Sequence, residues 1–398
     1  VGRVTTGSAG LLALALATAC SASNAAGADE GPSPVAAAAG TTTVSVVPAN
    51  QAVNIGTDET VIVAAPGGGT LKSVRATGPG ITLPGVLSAD GTRWRSTRTT
   101  KPGTTYTIAV TTGDGKQTTS TFTTVKATKS FEIEQLTPHK DNTGLTVGVG
   151  MPIMIAFDRA ITDRVNVERN LYVRASKPVE GAWHWFDDRH VDFRPKTYWP
   201  AHTKVRLEAR LAGVRGAPGM YGKRDHVLDF KIGREQITKG STDTHYLTVR
   251  RDGKKIRDIP MSAGQGGVWK YHTTSGVHLA MSREPVTVMI SPGIGPGSAG
   301  YYRMVVYNTV RISNSGEYVH SAPWSVGSQG YSNVSHGCVN ISPTNASWFI
   351  RNTLIGDPII ITGTPRKLEP TNGWGHWQED WKQWLQWSSI KAGRTDAM

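Results

Sequence analysis

Apolar residues fall on every second position in short runs through most of the chain from residue 41 onward. Val44/Val46, Val61/Val63 and Tyr106/Ile108/Val110 show the pattern, which belongs to strands with one buried face. Between these runs lie Pro66-Gly67-Gly68-Gly69, Asp90-Gly91 and Asp114-Gly115. These are turn sequences, because glycine accepts the positive φ that tight hairpins demand. Strands and turns at this spacing predict an immunoglobulin-like β-sandwich over 41–125. It has no cysteine pair, so Val, Ile and Trp94 must fill its core. A second sandwich is expected over 126–235, where Ile153/Ile155/Phe157 alternate and aromatics gather at Trp183, Trp185, Phe193, Tyr198 and Trp199. Buried aromatic core is the favoured reading of Trp183, Trp185 and Trp199, over a sugar-stacking face, because aromatics carry large burial energy. His184 and His190 are expected at the surface.

From residue 236 the composition shifts. The runs 246–249, 268–271, 276–279, 286–290, 302–306 and 309–312 are strand-like. The glycine/proline loop 291–300 fits neither a G-x-G-x-x-G nor a P-loop pattern, so a flap over a cleft is expected. A short helix is predicted over 343–355, with Ser342 as N-cap and Pro343 at its first position. Residues 357–361 return as a buried strand. In the tail, Trp374, Trp377, Trp381, Trp384 and Trp387 recur at spacings of three and four, the period of one helical face. That helix over 364–398 is expected to pack back onto the domain at 236–363.

Charge and the N-terminal segment set the compartment. Lys and Arg exceed Asp and Glu by 43 − 30 = 13. The positive residues are scattered and no nucleic-acid-reading motif occurs, which disfavours a nucleic-acid partner and favours a wall or membrane surface. Val1 reads as the literal translation of a GTG start. The apolar run 9–19 is shorter than the ~20 residues that a membrane span needs. It ends in Ala17-Thr18-Ala19-Cys20, which is similar to a lipobox with Ala17 where Leu is usual. The expectation for 1–20 is an export signal that makes Cys20 a lipidation site, with an ordinary cleaved signal as the alternative. Residues 21–40 read as a flexible linker.

Candidate chemistry then converges on one stretch. The two cysteines are Cys20 and Cys338, so Cys338 has no disulfide partner once the signal is accounted for. A free thiol in an exported chain calls for a reason. Ser335-His336-Gly337-Cys338 puts it after a glycine, where backbone can bend and a substrate can approach. His320 lies 338 − 320 = 18 residues upstream, suited to an adjacent strand or loop. A thiol with a histidine in reach is the minimum for nucleophilic acyl transfer. Rival readings are a buried inert thiol and a zinc site from His320, His336 and Cys338, which lacks closely spaced ligand pairs. No G-x-S-x-G serine motif occurs.

These residues, with 312–324 and Gly327-Ser328-Gln329-Gly330, resemble the signature of the L,D-transpeptidase family, in the arrangement of its actinobacterial, mycobacterial-type members. The resemblance implies a mainly β fold of two immunoglobulin-like sandwiches, a catalytic β-sandwich domain at 236–363 with a short helix after the cysteine, and a Trp-rich C-terminal helix. It implies Cys338 as nucleophile, His320 as base and Ser321 as the residue that helps to orient His320. His336, Gly337, Asn340 and Ser335 would shape the motif, and Tyr302 would be the cleft tyrosine. The implied reaction cuts a peptidoglycan tetrapeptide stem at its third residue, diaminopimelate. It releases D-Ala through a thioester and gives a 3→3 cross-link to a neighbouring stem. No cofactor or metal is implied, and carbapenems are expected to acylate the site. A monomer in the cell envelope, held to the membrane by a lipid anchor, is expected. An L,D-carboxypeptidase and a non-catalytic wall-binding scaffold are the alternatives. An imidazolium beside the thiol is expected to favour thiolate over an ordinary value near ~8.5. Backbone N–H groups of Gly337 and Cys338 are expected to meet the oxyanion, with Tyr302 as a further donor.

Overall fold

The computed structural model describes residues 42–398 except 142, 143, 292, 293, 300, 392 and 394. The expected export signal, Cys20 and the linker fall outside the described residues. Two sheets form the first body. One holds Ser45–Val47, Ile62–Ala64, Arg93–Ser96 and Gly85–Leu87; the other centres on Gln117–Thr124, Thr105–Thr112 and Leu71–Gly78. Their inward positions, Val61, Val63, Trp94, Tyr106, Ile108 and Phe122, make the core, with Tyr106 and Phe122 stacked at 5.3 Å. The period-two positions of the sequence are therefore the packed ones.

The second body has three sheets around Ile153, Ile155, Phe157, Trp183, Trp185, Phe193 and Trp199. Each of the three tryptophans expected in the core is buried, and each indole N–H finds an acceptor: Leu171 O, Glu168 Oε2 and Met151 O respectively. His184 departs from expectation. It is 3% exposed, because the strand Gly181–Trp185 is covered on both faces and all five residues are buried. His190 is exposed, as expected.

The third body is built on β1 (Gln236–Ser241), β2 (Tyr246–Arg251), β3 (Lys254–Ser262), β4 (Gly276–Leu279), β5 (Ser282–Ile290), β6 (Arg303–Arg311), β7 (Tyr318–Ser321), β8 (Val339–Ile341) and β9 (Pro358–Thr362). Among the described residues they pair in the order β4-β9-β1-β2-β3-β8-β7-β6-β5. The early part of β3 pairs with β2, whereas Met261 and Ser262 pair with Ile341 and Asn340. β3 thus carries the sheet from one half to the other. Leu247, Val249 and Ile259 from one half meet Val310, Val319, Val339 and Ile341 from the other in a single core, which Phe349 completes. Phe349 comes from the helix Pro343–Asn352, whose N-cap Ser342 accepts the Asn345 N–H and whose first position is Pro343. The helix stops at Asn352, short of the expected Ile355. There the Asn352 carbonyl is taken by the side chains of Arg234 and Gln236.

Two other expectations change. Residues 268–271 form a 3-10 turn at Trp269–Tyr271 rather than a strand, after Gly266 and Gly267, both at φ +72. The runs 302–306 and 309–312 belong to one strand, β6.

The tail differs most. Its helix is only Trp381–Gln386, and it packs on the second body rather than chiefly on the third. Trp384 Nε1 donates to Ala182 O at 3.0 Å and Trp381 Nε1 to Glu180 Oε1 at 3.0 Å. Trp377, Trp381 and Trp384 surround the guanidinium of Arg194 at 4.6–5.4 Å. Asp396–Ala397 adds a parallel strand beside Arg174–Ala175. The segment before the helix touches the third body through Gln378 Nε2 to Val277 O and through Asn372 to Ser315. The junction of second and third bodies is close. A Cβ on Gly148 would lie 2.2 Å from Asp357 N, and Arg234 pairs with buried Asp357 at 2.7 Å.

Candidate active site

β7 and β8 are parallel neighbours, with Val319 opposite Val339 and His320 opposite Asn340. Parallel neighbours need a crossover of a dozen or more residues, which accounts for the spacing between His320 and Cys338. Side chains alternate across a strand, so Tyr318 and His320 share a face of β7. Cys338, one place before β8 and two before Asn340, shares that face. It opens on a cavity of about 740 Å³ lined by Tyr302, Tyr318, His320, Ser335, His336, Gly337, Cys338 and Asn340, with Lys270 and Arg366 at its rim.

His320 is 3% exposed. Its Nδ1–H donates to the Ser321 carbonyl at 2.9 Å. A carbonyl can only accept, so Nδ1 carries the proton and Nε2 keeps its lone pair. It is the backbone of Ser321 that makes this bond. Burial pushes the His320 pKa down, against the opposing pull of the Ser321 carbonyl, so the ring is neutral at pH 7.

Cys338 is half-buried. Burial pushes its thiol up to about 12; the Tyr318 backbone N–H opposes this and the Glu317 charge adds to it. The expected thiolate–imidazolium pair is therefore replaced by a resting thiol and a neutral imidazole. The sulfur has lost water without gaining a cation. This pair suits proton transfer during attack rather than before it.

The turn before Cys338 is fixed by hydrogen bonds. Gly337 has φ +128, a region that a side chain rarely adopts. Ser335 Oγ donates to Cys338 O at 2.6 Å and accepts the Gly337 N–H at 3.1 Å. That N–H is thereby committed and is not an oxyanion donor in this arrangement. The Gly337 carbonyl accepts from Thr273 Oγ1 at 2.7 Å. In a trans peptide the following N–H points the opposite way, so this bond sets the direction of the Cys338 N–H. Burial raises the Tyr302 phenol, with smaller contributions from Cys338 and Tyr271, and leaves it a donor. His336 is exposed and stands edge-on to Tyr271 at 4.5 Å, as cleft wall. Asn340 donates to Ser325 Oγ at 3.1 Å and ties β8 to the 3-10 turn Pro323–Ser325. Cys20 lies outside the described residues. Among those residues no group of three His, Cys, Asp or Glu is placed to hold a metal.

Thr273, Thr274 and Glu317 were not singled out from the sequence. Glu317 is 3% exposed and takes both the N–H and the hydroxyl of Thr274, each at 2.7 Å. The available signal was an acidic residue one place before the apolar-patterned β7.

Comparison with known proteins gives two family matches, the first of which runs across both the first and the second body. Residues 50–215 match the family described as bacterial Ig domain, and residues 238–361 match the L,D-transpeptidase catalytic domain. L,D-transpeptidase 2 of Mycobacterium tuberculosis is 35% identical over 337 residues, which are 84% of this chain and 81% of that protein. L,D-transpeptidase 5 of the same species is 38% identical over 253 residues, 62% of this chain. This chain spans only 55% of that relative's length. An LD transpeptidase solved in complex with imipenem is 36% identical and covers 58% of this chain and 98% of its own, at a TM-score of 0.49.

Proposed function

We propose, from the premise that this chain belongs to the L,D-transpeptidase family, that it joins peptidoglycan stem peptides by 3→3 cross-links through a thioester on Cys338. The observation that carries this reading is the placement of Cys338 and His320 on one face of paired parallel strands, with Nε2 of His320 left unprotonated. The sulfur attacks the carbonyl of the third stem residue while His320 takes the thiol proton. The Cys338 N–H and the Tyr302 hydroxyl are the donors in reach of the oxyanion. Collapse breaks the bond to D-Ala, whose amine leaves with the proton from His320. The side-chain amine of a second stem then attacks the thioester. His320 accepts its proton and returns it to the departing sulfur, so thiol and imidazole are regenerated and each bond broken is matched by one formed.

In this reading Ser321 sets the His320 tautomer, Ser335 and Gly337 shape the turn, His336 walls the cleft and Asn340 braces β8. Carbapenems acylate Cys338 by the same attack on a strained carbonyl. The protein acts as a monomer, exported to the cell envelope and tethered by a lipid on Cys20. The apolar run 9–19 before Cys20 supports that placement.

Mass spectrometry of the purified protein with a disaccharide-tetrapeptide, beside Cys338→Ala, tests the proposal. The expected result is an adduct equal to substrate minus D-Ala together with a dimeric product, both lost in the variant. An adduct resolved only to free tripeptide would replace the transpeptidase with a carboxypeptidase.

A further inference from the structure

Behind the Cys338 turn lies a buried carboxylate that the reaction above does not use. Both oxygens of Glu317 are held by Thr274, and among the described residues no cation forms an ion pair with it. A carboxylate this deep carries a large desolvation cost unless it is hydrogen-bonded. Its two bonds lock Thr274, and the neighbouring Thr273 holds the Gly337 carbonyl at 2.7 Å while accepting the Gly264 N–H at 2.9 Å. The Thr273 carbonyl is held in turn by Thr364 Oγ1 at 2.6 Å. Glu317 Cγ also lies 3.8 Å from where a Cβ on Gly337 would sit, so the carboxylate side chain backs the turn itself.

We propose that Glu317 is a positioning residue for the nucleophile: through Thr274 and Thr273 it fixes the Gly337–Cys338 peptide, and it sets a buried negative charge behind the sulfur. The proposal rests on the reading that Cys338 is the reacting thiol. The geometric part aims the Cys338 N–H. The electrostatic part opposes thiolate in the free enzyme, in line with the contribution of Glu317 to the raised thiol. A thiol kept protonated resists oxidation in an exported protein, because the thiolate is the reactive form. The other groups around the sulfur are Tyr318, Tyr302, His320 and His336, with Lys270 and Arg366 at the rim. His278 stands behind Thr274, its Nε2 2.8 Å from the Thr274 carbonyl.

The test is the pH profile of Cys338 alkylation by iodoacetamide in the soluble protein. Glu317→Gln keeps an acceptor for the Thr274 N–H and removes the charge. Its profile is expected to shift about one unit toward acid, which gives about tenfold more thiolate at neutral pH. The lower intrinsic nucleophilicity of the more acidic thiol cuts this to about threefold faster alkylation. Glu317→Asp keeps the charge and restores the wild-type midpoint. If Glu317→Gln does not fold, Glu317→Leu carries the same expectation. A folded neutral variant with the wild-type midpoint overturns the proposal, as does an Asp variant that shifts as far as Gln. Alkylation needs no turnover, so failure to form cross-links would overturn the functional reading and leave this test intact.

Discussion

Two buried histidines sit in different surroundings and show what burial alone signifies. His320 in the cleft and His184 under the tail are each 3% exposed, and burial lowers the pKa of both, that of His184 to about 4. Each donates Nδ1–H to a carbonyl, Ser321 and Trp384 respectively. The difference lies on the other side of the ring. His320 borders the cavity that holds Cys338, whereas His184 is stacked on the Trp384 ring at 4.3 Å and touches Phe186 at 4.5 Å. A perturbed histidine is thus a mark of desolvation, and access to a reacting partner is what separates a base from a packing residue.

The two regions also spend their polar groups differently. The tail is closed by Glu168, which accepts from Trp185 Nε1, Ser388 Oγ and the Ser389 N–H at 2.6–3.0 Å. His376 donates to Asp192 at 2.7 Å in the same region. The cleft holds its hydrogen bonds around the Cys338 backbone, the thiol itself makes a long contact of 3.7 Å to the Gly316 carbonyl, and the Nε2 of His320 keeps its lone pair.

Removing the proposed base should have the largest effect. His320→Gln is expected to slow acylation by a tetrapeptide stem by about 10²–10⁴-fold, the usual contribution of a general base, with little change in Tm. Stopped-flow or mass-resolved acylation rates check it. Removing the cover of the other histidine should do the reverse. Trp384→Ala deletes a fully buried indole and is expected to cost about 3–5 kcal/mol of stability. Acylation per folded molecule should hold, as read by denaturant unfolding beside active-site titration. The smallest effect concerns acid. The folded His184 pKa lies below the ordinary 6.5, so its contribution to stability is intact above pH 6.5 and is lost as pH falls through about 4. At pH 5 that loss is roughly 2 kcal/mol. His184→Phe should therefore show a smaller drop in Tm between pH 7 and pH 5 than the parent. An equal drop would place the acid sensitivity elsewhere, with His320 the next candidate.

Much of this could be read along the chain. The apolar runs at 61–63, 106–110 and 153–157 follow a period of two because one face of each is packed, and that pattern needs no knowledge of neighbours. The Ser342-Pro343 helix start is equally local. The Cys338 turn and its distance from His320 could be read because thiol chemistry restricts which residues stand beside it, and a parallel pair of strands requires a long crossover. The Trp spacing misled for a physical reason. Indoles three and four apart fit one helical face, yet Trp374 and Trp377 precede the helix in a run of turns; Trp377 meets Arg194 and donates to Gly150 O, and Trp374 packs against the core of the second body.

The β character of the chain, its turns and the candidate pair Cys338 and His320 were thus legible along the chain. These follow from side-chain size, backbone freedom and functional-group chemistry within a short window. The burial of His184, the seating of the tail on the second body, the resting thiol of Cys338 and the place of Glu317 behind its turn emerge only when the chain is folded. Each of these depends on a second surface closing over a residue from far along the chain, and desolvation by such a surface leaves no periodic trace in the sequence.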